Sequence, residues 1–251
     1  MKINYKQTIS ACFIGYIIQA IVNNFVPLLF VTFQKSHSIE LSKITVLITI
    51  NFVIQLCIDL ASAYFIDKIG YRASALIAHG CSAAGLILLT ILPELLPSAY
   101  AGIVISVIIY AIGGGLLEVL LSPIIEACPT GNKEKAMSLL HSFYCWGHMG
   151  VVLLSTAFFA IFGIENWKAL ALIWAAVPVF NGIFFTRVPI YPLVDEGEKG
   201  LTLKQLAASK TFWIMMLMMV CAGASEQSVS QWVSAFAEEG LGVSKPIGDL
   251  A

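Results

Sequence analysis

Seven stretches of this sequence are each long and apolar enough to cross a bilayer, and that repetition limits the fold more than any other feature. They cover roughly 9–33, 44–66, 73–92, 99–125, 137–163, 167–186 and 212–237. A helix needs about 20 mostly apolar residues to traverse the hydrocarbon core. Lipid cannot hydrogen-bond a backbone, so only helices and closed barrels span it. The runs lack the strict alternation of barrel strands. The expected fold class is therefore an all-α, multi-pass membrane protein. Composition agrees: 59% of the residues are hydrophobic and only 12% are charged, with a mean hydropathy of +0.87. Soluble domains carry about 25% charged residues. Soluble, disordered and disulfide-scaffold classes are thereby excluded.

The net charge of −1 offers no basic field for nucleic acid. The six cysteines form no CxxC pair and read as buried thiols, and no metal site is expected. Lys2 and Lys6 precede an apolar run that is too long for a signal peptide, so this run reads as a first membrane helix.

Orientation follows from the basic residues of the short loops. Lys2, Lys6, Lys68, Arg72, Lys133, Lys135, Arg187, Lys199, Lys204 and Lys210 fall on one side; Lys35, Lys43 and Lys168 fall on the other. The richer side is expected in the cytoplasm, together with the N-terminus. The connection from Pro189 to Lys210 is the long one and holds Asp195, Glu196, Glu198 and Lys199. The expected organisation is a six-helix bundle over 1–188, a cytoplasmic linker over 189–210, whose tail Leu201–Ser209 forms a short surface helix, and a seventh helix that opens a second bundle over 211–251. A long linker followed by one helix implies that the chain stops short of a complete second bundle.

Polar residues recur within the apolar runs at helical spacing, and so share faces. The first run has Gln19, Asn23 and the adjacent Asn24, with Pro27 one turn on. The second has Asn51, Gln55 and Asp59. The fourth has Glu118, Ser122 and Glu126, after Gly113, Gly114 and Gly115. The fifth has His141, Cys145 and His148. The seventh has Glu226, Gln227 and Gln231. Intramembrane polar groups are costly unless paired or hydrated, and are functional candidates by default. Interhelical hydrogen bonding accounts for Asn51, Gln55 or Ser122 singly. Stripes on five runs together imply a bundle around a wet centre.

Glu118 is the sharpest candidate. The three glycines beside it admit close approach of a backbone or a ligand, and no Lys or Arg falls inside any run, apart from Lys168 at the edge of the sixth, to neutralise it. A carboxyl without a countercharge suits the uptake and release of an ion. Asp59 reads as a second polar pathway residue or a vestibule residue. Glu126, close to the run's end, reads as a gate or loop contact. Glu226 follows Gly223, Ala224 and Ser225, which read as a helix break of the kind that lines transport sites. His141 and His148 lie on one face, without a third ligand for a metal. Tyr144 and Trp146 offer rings that could stack on a sugar.

The loop from Ala63 to Arg72 resembles the signature loop of the major facilitator superfamily, G-x-L-a-D-R/K-x-G-R/K-R/K. Asp67, Lys68, Gly70 and Arg72 match it, whereas Ala63 and Tyr71 depart from it. The resemblance implies that this loop is a conformational latch between two six-helix bundles. Gly113–Gly150 is similar to the fucose-permease branch, with its helix-4 pattern G-x-x-E-x-x-x-N-P and helix-5 pattern A-Q-S-F-N. Glu118 falls on that branch's ion-linked acid, His141 on its sugar-contacting glutamine and Ser122 on its asparagine. The branch's helix-1 acid is absent, and Asn23 or Asn24 stands in its neighbourhood. The chain then corresponds to the first half plus one helix of a 12-helix carrier, which needs the missing half for transport.

The resulting expectation is a secondary active transporter: ion-coupled uptake of a small polar solute such as a monosaccharide, by alternating access in the cell membrane. Glu118 is expected to couple the ion. Gln19, Asn23, Gln55, His141 and Glu226 are expected to bind solute. Asn24, Asn51, Asp59, Ser122 and His148 extend the polar path. No cofactor is expected, and the coupling ion is either proton or sodium. A drug or metabolite exporter is the alternative, although the helix-5 pattern G-P-x-x-G-G is missing. A membrane enzyme using Glu118 and His141 lacks any HExxH or GxSxG support.

Overall fold

The computed structural model describes residues 5–192 and 203–249, without the side chains of Asp67, Leu203, Gln227 and Ser230. Every described element is helical: α1 (Tyr5–Asn24), a 3-10 turn (Val26–Leu29), α2 (Phe30–His37), α3 (Leu41–Ile69), α4 (Tyr71–Leu95), α5 (Ala99–Glu126), α6 (Lys133–Phe162), a second 3-10 turn (Ile164–Asn166), α7 (Trp167–Phe185), α8 (Leu203–Ala207), α9 (Lys210–Ser230), α10 (Val233–Gly240) and α11 (Lys245–Asp249). The first six expected runs emerge as six spans long and apolar enough to cross a membrane, Tyr5–His37 through Ile164–Phe185. The acidic part of the expected linker, Asp195 to Lys199, lies outside the described residues. Its tail contains α8.

Local chemistry sets the boundaries. Ser98 caps α5 by accepting a hydrogen bond from the Ala101 N–H at 3.3 Å, and Asn132 caps α6 by accepting one from Lys135 at 2.9 Å. Gly70 turns the chain between α3 and α4 at φ +87°, in a region that side chains resist. α4 and α5 pack so closely that a Cβ on Gly85 would stand 2.5 Å from the Tyr110 nitrogen. One on Gly113 would stand 2.6 Å from the Ala78 carbonyl oxygen.

The core is tiered. One apolar cluster, at the end where α1 begins, joins Ala11–Ile18 of α1 to Leu116–Ile125 of α5 and Phe185. The other, at the distal end, joins Phe25–Phe33 to Ile103–Ala111 and Trp167–Ala175. Gln19 and Asn23 of α1 lie where one tier gives way to the other. α3 turns much of its surface outward, with Leu60 and Tyr64 each 67% exposed, as a lipid-facing helix would.

One expectation about a break is corrected. The seventh run is not interrupted at Gly223–Ser225; α9 continues through them, and the chain turns at Gln231 and Trp232 before α10. The first span is the broken one. Pro27 sits inside its 3-10 turn and has no N–H to offer the Asn23 carbonyl. Gln231 Nε2 donates to that carbonyl instead, at 3.1 Å, and Lys245 Nζ donates to the Leu28 carbonyl at 2.6 Å. Segments beyond the linker are thereby tied to the first span. Asp249, whose side chain is fully buried, accepts from Thr156 at 3.2 Å, from Ser234 and from Lys245 at 3.2 Å. Lys35 pairs with Glu238 and Glu239 at 3.5 and 3.2 Å.

The cysteine expectation holds only in part. Cys12 and Cys128 are buried, but Cys57, Cys145 and Cys221 are exposed. The apolar runs that carry them have outward and cavity-facing sides as well as core-facing ones.

Candidate functional site

A cavity of 490 Å³ opens among α1, α3, α5, α6 and α9 at the junction of the two tiers. Gln19, Asn23, Gln55, Asp59, Glu118, His141 and Glu226 all line it. Helical spacing explains the convergence. Gln19 and Asn23 are one turn apart on α1, Gln55 and Asp59 one turn apart on α3, and His141 and Cys145 one turn apart on α6.

Glu118 projects into this cavity, and its carboxylate accepts a hydrogen bond from Gln19 Nε2 at 3.1 Å. Asn23 Oδ1 accepts from Gln55 Nε2 at 2.8 Å and from Asn51 Nδ2 at 3.3 Å, joining α1 to α3. His141 stands edge-on to the Tyr16 ring, with centroids 5.6 Å apart. Among the described residues, no Lys or Arg lines the cavity and no three His, Cys, Asp or Glu side chains are spaced to hold a metal ion.

Other expected path residues are placed elsewhere. Asn51 supports Asn23 from behind and does not line the cavity. Ser122 is taken up by the Tyr16 hydroxyl at 3.1 Å. Asn24 donates to its own helix at the Ala20 carbonyl, 2.9 Å away. Asn24 and His148 line a second, distal cavity of 480 Å³ instead, which shares Cys145 and Glu226 with the central one. Trp146 is exposed away from the central cavity, so of the two expected stacking rings only Tyr144 reaches it. The three glycines before Glu118 admit neighbouring helices rather than a ligand: Gly113 meets α4, Gly114 meets α1 and α3, and Gly115 meets α3. Glu126 pairs with Lys133 across the loop at 3.5 Å.

In the signature loop, the Asp67 side chain lies outside the described residues, Lys68 is exposed and Gly70 makes the turn. Arg72 donates to the carbonyls of Phe185, Thr186 and Val188 at 2.7, 2.8 and 2.9 Å, tying the start of α4 to the end of α7. Tyr16 and Phe52 line the cavity although sequence reasoning assigned them no role. Tyr16 was reachable, because it lies three residues before Gln19 on the same helical face.

Residues 12–250 match the Major Facilitator Superfamily. The chain belongs to that superfamily. Among solved structures it is similar to a crystal structure of a D-xylose-proton symporter, with a TM-score of 0.67 and 18% identity, over 97% of this chain and 63% of that one. It is also similar to a POT family transporter in complex with a thioalcohol-conjugated peptide, with a TM-score of 0.56 and 16% identity, over 91% of this chain and 46% of that one. The chain thus spans less than two thirds of either protein. A search of curated sequences finds no match.

Proposed function

We propose that this chain forms the substrate-binding first part of a secondary active carrier that takes up a small polar solute, a monosaccharide in size and polarity, using a proton or sodium gradient. The observation that carries the reading is the central cavity in which Glu118, held by Gln19, meets polar groups from four other helices. Carriers built on this plan bind solute near the membrane midplane and rock one bundle against another. In this reading residues 1–188 are the first bundle, 189–210 the cytoplasmic linker and 211–251 the opening of the second bundle. The N-terminus faces the cytoplasm of a cell membrane. Glu118 binds the coupling ion. Gln19, Asn23, Gln55, His141 and Glu226 hydrogen-bond the solute. Asp67, Lys68, Gly70 and Arg72 govern the conformational switch.

The test is Glu118→Gln in the complete carrier, reconstituted in liposomes. Concentrative uptake of labelled sugar falls at least 100-fold while exchange of labelled for unlabelled sugar persists. Concentrative uptake equal to that of the unaltered carrier would remove Glu118 from the coupling role.

A further inference from the structure

The central cavity is rich in carboxyl groups. Asp59 of α3, Glu118 of α5 and Glu226 of α9 line it, and none of the described lining residues is a Lys or Arg. Gln19 adds another acceptor. It is only 5% exposed, its Nε2 is committed to Glu118, and its Oε1 has no partner. Asp59 Oδ1 is likewise buried without a donor. Buried acceptors left unmatched are expensive, more so when charged. The arrangement therefore favours a guest that brings both donors and positive charge.

The surroundings indicate what kind of guest. Among the described residues, no three His, Cys, Asp or Glu side chains are grouped as a metal ligand set would be. The 490 Å³ volume lies within the range of small-molecule sites. The rings of Tyr16, Phe52 and Tyr144 border the same space. Aromatic faces attract alkylammonium groups, especially where water is thinned. His141, Gln55 and Asn23 add hydrogen-bonding groups suited to hydroxyls.

We propose that the solute bound here carries an ammonium group on a hydroxylated body of hexose size, with Asp59 as its counter-charge and Gln19 Oε1 as an acceptor for one of its donors. The inference rests on the reading of this cavity as the solute site. It divides labour between the two carboxyls: Asp59 selects the solute, which leaves Glu118 free to exchange the coupling ion. A neutral hexose leaves Asp59 without a cationic partner, so specificity comes from that mismatch.

The experiment is a thermal-shift titration of the full-length carrier in detergent at about pH 7, where a sugar amine is still mostly charged. The probes are glucosamine, galactosamine and mannosamine, each beside its parent hexose. At least one amino sugar raises the unfolding temperature at a concentration 10-fold or more below that of its parent. Asp59→Asn weakens that amino sugar at least 10-fold without altering the response to the parent, and Asp59→Glu restores most of it. If a parent hexose matches or exceeds its amino partner, or Asp59→Asn leaves the amino sugar unaffected, the charge assignment is overturned while the solute site stands. If none of the six sugars shifts the carrier, both readings fall. Should Asp59→Asn not fold, the amino-to-parent ratio of the unaltered carrier and of Asp59→Glu decides the matter.

Discussion

At the residue scale, accessibility separates side chains that composition treats alike. Cys145 and Cys128 both sit in or beside apolar helices, yet Cys145 borders both cavities and Cys128 is buried at the end of α5. Burial pushes the Cys128 thiol up to about 11, so it remains protonated, and poorly nucleophilic, below that pH. At pH 8 a small water-soluble thiol reagent therefore modifies Cys145 at least 10-fold faster than Cys128, as mass spectrometry of the intact protein would show. Equal rates would mean that the cavity is closed to water. The sequence disclosed Gln19, Asn23, Gln55 and Glu118 because a costly polar group in an apolar run has to face something wet. It left Trp146 ambiguous, because an aromatic side chain suits lipid, core and cavity equally well. Asn24 escaped it too: spacing cannot reveal that a side chain folds back onto the Ala20 carbonyl.

At the scale of helices, the sequence made the first six span positions legible to within about four residues, because hydrophobic length is a direct consequence of bilayer thickness, whereas the seventh run, read as 212–237, ends as α9 at Ser230. Helix partners were not legible. The glycine triplet announced a close approach but not what approached, and the structure assigns it to helix–helix contact. Gly113→Ala should then destabilise the α4–α5 pair by about 1–3 kcal/mol, since the new methyl group meets backbone atoms of Ala78 and Ser82 as well as the Ser82 hydroxyl. A lowered unfolding temperature in detergent is the expected readout, and an unchanged one would contradict the close packing. The break in the first span was half legible. Pro27 was visible, but which neighbour would use the carbonyl it frees depends on residues more than 200 positions away.

At the scale of the whole molecule, two apolar tiers enclose a polar layer, and the segments after the linker close over its distal side. The buried Asp249 gathers Thr156, Ser234 and Lys245 into one cluster that joins α6, α10 and α11. Removing one member of a buried ion pair costs about 3–5 kcal/mol because the other is stranded. Asp249→Ala should therefore loosen the distal closure in the full-length carrier, and reagent added from that side should reach Cys145 faster by 10-fold or more. Unchanged labelling would show that the cluster does not hold the closure. The assembly of this cluster was not foreseen, because its members meet only when the chain returns across the first span.

The proline in that first span has a consequence beyond local bending. By withholding a single amide hydrogen it turns a self-sufficient rod into one with an open socket, and Gln231 is the plug. Any residue bearing an amide hydrogen at position 27 would heal the rod and evict the plug. The grip between the two ends of this chain is thus written into an imperfection of its first helix.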